Sequence, residues 1–268
     1  MEDQKRRQIE YHEKEHYRAD QPRFVDNSHP IVAWLNHYRL RQAVRMMCSP
    51  LTGKSVLSVC GGDGQEADFF QRQGARVTVV DLSAVALEAA RRRNPALRCC
   101  RLDAESLAFV DRSFDWVLVR DGLHHLARPL LGLYELERIA REGIVILEGQ
   151  DSLPVRLLVR LGIAENRDPA GGYVYRFSRR ELHKVFSSLH TLAEWHIRTA
   201  WLPFGSDILG FVPLFTRSIY PVINQPLIRH FLCARYVRKA CKAVFFCAQL
   251  IAGRWGNSLI VVARKEAP

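Results

Sequence analysis

Residues 56–81 read VLSVCGGDGQEADFFQRQGARVTVVD. Val56, Leu57, Val59 and Cys60 form a short apolar run that suits a strand buried on both faces. Gly61, Gly62 and Gly64 crowd the turn that follows. Gln65 to Gln73 reads as a helix, and Gly74 closes it as the residue just past its end. Arg76 to Val80 is a second strand rich in Val and Thr, and it ends in Asp81. The stretch is thus a β-α-β unit with a glycine-rich first turn and an acid after the second strand. Glycines let a backbone approach a ligand closely, and a helix N-terminus offers free N–H groups. An acid in that place suits a pair of ribose hydroxyls. A nucleoside compound bound at the carboxyl edge of a parallel sheet is the expectation.

Gly62, Gly64 and Ala67 also satisfy G-x-G-x-x-A, the looser dinucleotide fingerprint. A dinucleotide needs its pyrophosphate on the helix N-terminus. Here Asp63 crowds the turn, and Glu66 and Asp68 enter the first helical turn. Acids facing the ligand repel phosphate and suit a cation. S-adenosylmethionine (SAM) carries a sulfonium and no phosphate.

Four runs then stand in order: VLSVCGGDGQEA, VTVVDLS, LDAESLAF and FDWVLVRDGLHHL. Together they resemble the successive motifs of class I SAM-dependent methyltransferases, closest to the branch called methyltransferase type 11. The likeness covers roughly Ser55 to Gln150. It implies an α/β, Rossmann-like, mostly parallel seven-stranded sheet with helices on both faces, and SAM as cofactor. It implies a cofactor site of Cys60, Gly61, Gly62, Gly64, Asp81, Leu82, Asp103, Ala104 and Arg120. Asp103 would accept from the adenine amino group, as a carboxylate can only accept, and Ala104 would hold the ring edge. Tyr17, in EHYRAD, resembles a tyrosine that folds over the cofactor in related enzymes; a solvated arm is the other reading. One departure stands out. The family's first motif usually begins with an acid and has glycine two places later, where this chain has Ser58 and Cys60. Asp63 could serve in place of the acid, or the chain could be a SAM-binding member without activity.

The chain has 268 residues, a formal net charge of +11 and an ordinary apolar fraction of 48%, with a pI near 9.6. One core with an insertion is the expected organisation. Residues 1–50 read as an N-terminal helical segment, 51–201 with 257–268 as the core, and 202–256 as a helical insertion. The seven cysteines are scattered, with no C-x-x-C, so no zinc site is expected. The charged start, Met1 to Tyr17, is not a signal sequence, which suits reduced thiols in a cytoplasm. Basicity suggests anionic partners. No RNA-binding module and no basic stripe with stacking aromatics is visible, so nucleic acid is not the expected partner.

Pro30 opens a helical run in which Ile31, Trp34, Leu35, Tyr38, Leu40 and Val44 recur near a 3.6 period, with Arg39, Arg41 and Arg45 on its other face. Ser83 can cap a helix from Ala84 to Arg93. Phe114 to Val119 reads as the fourth strand. It gives way to RDGLHH at the switch point of the sheet, where ligands sit. His124, or else His125, could act as a base, with Asp121 as an alternative; a capping or buried histidine is the plain reading. Glu148 to Asp151 ends the fifth strand and would face the acceptor. Ser178 and Glu181 form a capping box. In the insertion, Ile228 to Ile251 is long enough for six turns. Val237, Cys241, Val244, Ala248 and Ile251 form one apolar face, largely opposite Arg235, Arg238, Lys239 and Lys242. The segment reads as a surface helix, as a cap over the acceptor, or as a peripheral contact in which Phe211, Phe215, Phe231, Phe245 or Phe246 dips into an anionic membrane.

Methyl transfer to a small-molecule acceptor is the expected function, with an anionic or lipid-linked acceptor as its narrower form. No N-P-P-Y-type run follows the fourth strand, which disfavours bases and amides as acceptors. The alternatives are an RNA methyltransferase and a non-catalytic SAM-binding protein.

Overall fold

Seven strands form one sheet in the order β3-β2-β1-β4-β5-β7-β6. The computed structural model describes residues 2–16, 30–162, 166–168, 170–202, 225, 230–231 and 234–266. The strands are β1 (Ser55–Val59), β2 (Arg76–Asp81), β3 (Arg98–Arg101), β4 (Phe114–Arg120), β5 (Ala140–Gly149), β6 (Leu192–Ala200) and β7 (Ser258–Lys265). The pairs among β1 to β5 are parallel. Only β7 runs against its neighbours, β5 and β6. This is the Rossmann-like sheet the sequence implies, with its last strand inserted antiparallel. Strand order reverses between β1 and β4, which opens a crevice at their carboxyl ends.

The parallel strands are apolar without alternation, as strands covered on both faces must be. Leu57 and Val59 of β1 and Val117 and Val119 of β4 pack on one side. With them lie Leu133 and Leu136 of α5 (Pro129–Ile139) and Leu182 and Phe186 of α7 (Arg179–Ser188). Val56, Val79, Trp116, Leu118 and Val145 face the other side. They meet Leu40 and Met47 of α2 (Pro30–Met47), Phe70 of α3 (Gln65–Gln71) and Leu87 of α4 (Ala84–Arg93).

Local chemistry sets the helix ends. Ser83 Oγ accepts from Ala86 N at 3.2 Å, and Ser178 with Glu181 closes a reciprocal capping box. At the end of α3, Ala75 N donates to Phe70 O and Gly74 N to Gln71 O, the paired bonds of a Schellman closure.

Three expectations shift. Arg39 is not on a solvent face of α2: it is 6% exposed and turns inward, so the helix buries a cation along with its apolar residues. The helix of the insertion, α8, spans Arg235–Ala252 and starts later than Ile228. Its packing residue is Phe245, seated on Trp34 and Tyr38 at ring distances of 5.1 and 4.7 Å, whereas Val244 is exposed. Phe245 therefore has no free face to offer a membrane. Phe211, Phe215 and Tyr17 lie outside the described residues.

Candidate active site

The turn after β1 brings the backbone to the crevice. Gly62 and Gly64 take positive φ of 51° and 75°, and Cys60 takes 51°. Cys60 thus holds the left-handed conformation in a place where the resembled family has glycine, at a cost of order 1–2 kcal/mol. Gly122 makes room for it: a Cβ there would lie 2.5 Å from Cys60 Cβ. Ser58 is buried in β1 and supplies no carboxylate.

A cavity of about 230 Å³ opens at this edge. Cys60, Gly61, Gly62, Asp81, Leu82, Ala104, Arg120, Asp121 and His125 all line it, so most of the residues singled out in the sequence converge. The structure does not bring Gly64, Asp103 or His124 into that lining. Gly64 faces away from it, since a Cβ there would meet Ala90 and Leu97.

Asp81 sits at the end of β2. Its carboxylate accepts from Gly62 N at 3.0 Å and Ser83 N at 2.9 Å. Burial pushes its pKa up against the pull of those two bonds. Two oxygens fixed by backbone donors, with lone pairs left over, suit a vicinal diol.

A chain of alternating charge runs from the lining to α2. Glu66 of α3 meets Arg120 at 2.5 Å, and Arg120 meets Asp121 at 3.4 Å. Arg39 clamps Asp121 with both terminal nitrogens, one at 2.8 Å. Burial raises the pKa of Glu66 more than Arg120 lowers it. Burial alone would also raise Asp121, but Arg39 overrides it and holds that carboxyl well below the usual range. Asp121 is therefore a poor proton acceptor, and its reading as an alternative base is corrected.

The two histidines part company. His124 Nδ1 lies 2.7 Å from Glu148. Glu148 also accepts from Gly122 N at 2.8 Å and Leu123 N at 2.7 Å. Glu148 is 1% exposed, so it braces the turn after β4 and does not face an acceptor, contrary to expectation. His125 lines the cavity, with Nδ1 3.2 Å from Asp168. Asp168 is held by Gly172 N at 2.9 Å and by Gln8. Burial, then the neighbouring His124 ring at 4.0 Å, lowers the pKa of His125, and Asp168 restores only part of it. His125 is neutral at pH 7.

An N-terminal cover is one of the two readings of the sequence, but the residues that make it are not singled out there. Helix α1 (Glu2–Tyr11) and the π-turn His12–His16 lie across the cavity, and Gln8, Ile9 and His12 line it. Lys5 binds Asp103 at 2.5 Å and Glu105 at 2.8 Å. The His12 ring stands edge-on to His125 at 5.5 Å. Nothing in the charged pattern of residues 2–16 signals these partners, which are 70 to 160 positions away.

Asp63, Glu66, Asp81 and Asp121 put four carboxylates in the lining, against the guanidinium of Arg120. Such a lining fits a cationic nucleoside and opposes a pyrophosphate. Residues 57–147 match the methyltransferase domain family. That stretch of the chain, about a third of it, is similar to the methyltransferase domain. Relatives include the demethylmenaquinone methyltransferase of Clavibacter sepedonicus, 31% identical over 140 residues, which are 51% of this chain and 57% of that protein. The protein of that name from Renibacterium salmoninarum is 25% identical over 173 residues, covering 61% and 73%. The chain thus matches little more than half the length of the first of these relatives. Among solved structures, magnesium protoporphyrin IX methyltransferase from Synechocystis, with bound SAH, superposes with a TM-score of 0.60 at 13% identity, covering 98% and 100% of the two chains. The YcgJ protein of Bacillus subtilis gives 0.57 at 18% identity, covering 86% and 99%. At such identities these structures speak for the fold alone.

Proposed function

We propose that this chain is a SAM-dependent methyltransferase whose acceptor is a small, lipid-linked molecule of the quinone class. One observation carries the reading. A carboxylate-lined cavity at the switch point has both Asp81 and His125 in its lining, with His125 bonded to Asp168. The names of the relatives, demethylmenaquinone methyltransferases, suggest the acceptor class.

Bound SAM supplies an electrophilic methyl group on a sulfonium. Asp81 would accept hydrogen bonds from the ribose hydroxyls. The Cys60 to Gly62 backbone would lie against the nucleoside, and Leu102 and Ala104 would flank the adenine. Arg120 would hold the methionine carboxylate, and Asp121 and Glu66 its ammonium, the part that an acid at position 58 would otherwise play. Helix α1 excludes water from above. With the acceptor in its reduced, quinol form, His125 would take a proton from its hydroxyl through Nε2 while Nδ1 stays on Asp168; the electron-rich acceptor so formed would take the methyl group, and the sulfur would leave as a neutral thioether.

The test is transfer of labelled methyl from SAM to a lipid extract, an aqueous metabolite extract and total RNA, with ribonuclease as a control. Label in the organic phase, insensitive to ribonuclease, is expected. Label in RNA would favour the RNA reading that the charge of +11 invites. SAM binding without transfer would favour the non-catalytic reading that Ser58 and Cys60 invite.

A further inference from the structure

Helix α8 has two apolar faces, and the fold covers one. Phe245 packs on Trp34 and Tyr38 of α2, with Cys241 beside it. The opposite face carries Tyr236, Ala240, Ala243, Val244, Cys247 and Leu250, all exposed. Tyr236 and Leu250 are 83% and 84% exposed. Steps of four, three, one, three and three place these six on a single stripe about four turns long. Arg235, Lys239 and Lys242 are also exposed and line one flank of the stripe. The helix contains no acidic residue. A surface helix of a water-facing protein carries its charges on this outer face. Here the outer centre is apolar and the cations stand at its border.

That arrangement has a specific complement. An apolar strip with a cationic border, on a helix lying flat, matches the acyl boundary and the headgroup layer of an anionic bilayer. None of the described helices is long and apolar enough to cross a membrane, so the match is to a surface. The position agrees. Gln249 binds Trp201 N at 2.9 Å, which ties the end of α8 to the carboxyl end of β6. That is the sheet edge at which the cavity opens. A second helix on this edge repeats the pattern. Helix α6 (Leu153–Arg160) follows the carboxyl end of β5. Leu153, Leu157 and Leu161 are exposed at 63%, 55% and 61%, beside Arg156 and Arg160.

We propose that the outer face of α8 docks the protein on anionic lipid bilayers, presenting the cavity edge to molecules held in the membrane. The proposal deepens the lipid-linked reading of the acceptor, and its test separates the two. The full chain is sedimented with vesicles of phosphatidylcholine alone and with about a third phosphatidylglycerol, at low and high salt. Two variants accompany it: Val244→Ser with Leu250→Ser, and Arg235→Gln with Lys239→Gln. Wild type should bind the anionic vesicles at least about tenfold better than the neutral ones, and salt should weaken binding. Each variant should lose at least about tenfold while keeping its melting temperature and its SAM affinity, since none of the four residues lines the cavity. Absence of wild-type binding to anionic vesicles overturns the proposal. Binding that both variants retain overturns its assignment to α8. A dimer, seen by sedimentation without lipid and dissolved by the serine variant, assigns the stripe to a second copy instead. Vesicle binding without transfer to any lipid leaves docking standing and removes the lipid-linked acceptor alone.

Discussion

His124 and His125 are adjacent, share one short turn and have different surroundings. His124 is bonded to Glu148, which also accepts two backbone N–H groups. Its loss should cost stability and positioning. His125 faces the cavity, so His125→Gln should lower turnover by about 10²–10⁴ with SAM affinity nearly intact. Because burial depresses its pKa, turnover should rise with pH through a value below the usual 6.5. His125→Gln should abolish that acid limb. Asp168→Asn should keep the limb and lower the plateau, as an orienting partner would. A wild-type profile in the His125 variant would remove it from the mechanism. Asp81→Ala removes both carboxylate acceptors and should lower SAM affinity at least tenfold by calorimetry, on the scale of about 1.5–3 kcal/mol per charged bond. Unchanged affinity, or tight binding of NAD to wild type, would sink the cofactor assignment. The glycine turn and Asp81 are legible in sequence because backbone geometry demands them. Which histidine faces in is not, since a one-turn 3-10 segment, Leu123–His125, has no period to read. Asp168 is invisible as a partner too: it sits on an irregular loop 43 positions from His125.

Helix periodicity is informative where one face is apolar and ambiguous where two are. In α8 both Val244 and Phe245 are apolar neighbours, and the sequence alone offers either as the packing residue. Trp34 and Tyr38 decide it. In α2 the spacing of Trp34, Tyr38 and Leu40 is legible, but Arg39 is read as solvated because its partner Asp121 lies 82 positions away. The cover made by α1 is the least legible element, since six of its ten residues are charged and the two it brings to the cavity are a polar one, Gln8, and an apolar one, Ile9. Lys5 reaches over the cavity to Asp103 and Glu105. Both partners sit at the end of β3, on the side where the resemblance puts the adenine. The Lys5–Asp103 pair is partly exposed and should contribute within about 0–1 kcal/mol; Glu105 is buried but is also held by Arg128, so it keeps a cation when Lys5 is lost. Lys5→Met should therefore speed amide exchange in α1 by up to about fivefold and release the cofactor faster, with little change in global stability. High salt should do the same to wild type. Exchange in α1 that is indifferent to both would show that Gln8 and the apolar contacts hold the cover without help.

At the scale of the molecule, the sheet order and the site at its reversal follow from four ordered runs of sequence. What holds α2 to that sheet does not. Arg39 links the helix to Asp121 at the end of β4, and it also donates to Ser258 Oγ at the start of β7, at 3.2 Å. One guanidinium therefore ties three elements together beneath the cavity wall. Asp121 has a folded pKa below its unfolded value, held down by Arg39. Its contribution is fully present above the unfolded pKa of about 3.9 and is lost as pH falls through the folded one. His125 acts on a higher window: its folded pKa is also depressed, so below about pH 6.5 the unfolded chain binds the extra proton and stability declines. Urea titrations across pH should show two stages of acid loss, the first removed by His125→Gln and the second by Asp121→Asn. At pH 7 Asp121→Asn strands a buried guanidinium, at a cost toward the low end of about 3–5 kcal/mol. Arg39→Met combined with Asp121→Leu removes both charges and should recover most of that loss. If the double variant is no more stable than Asp121→Asn alone, the pair's strength lies in bonds such as the one to Ser258, and the charge argument for α2 fails.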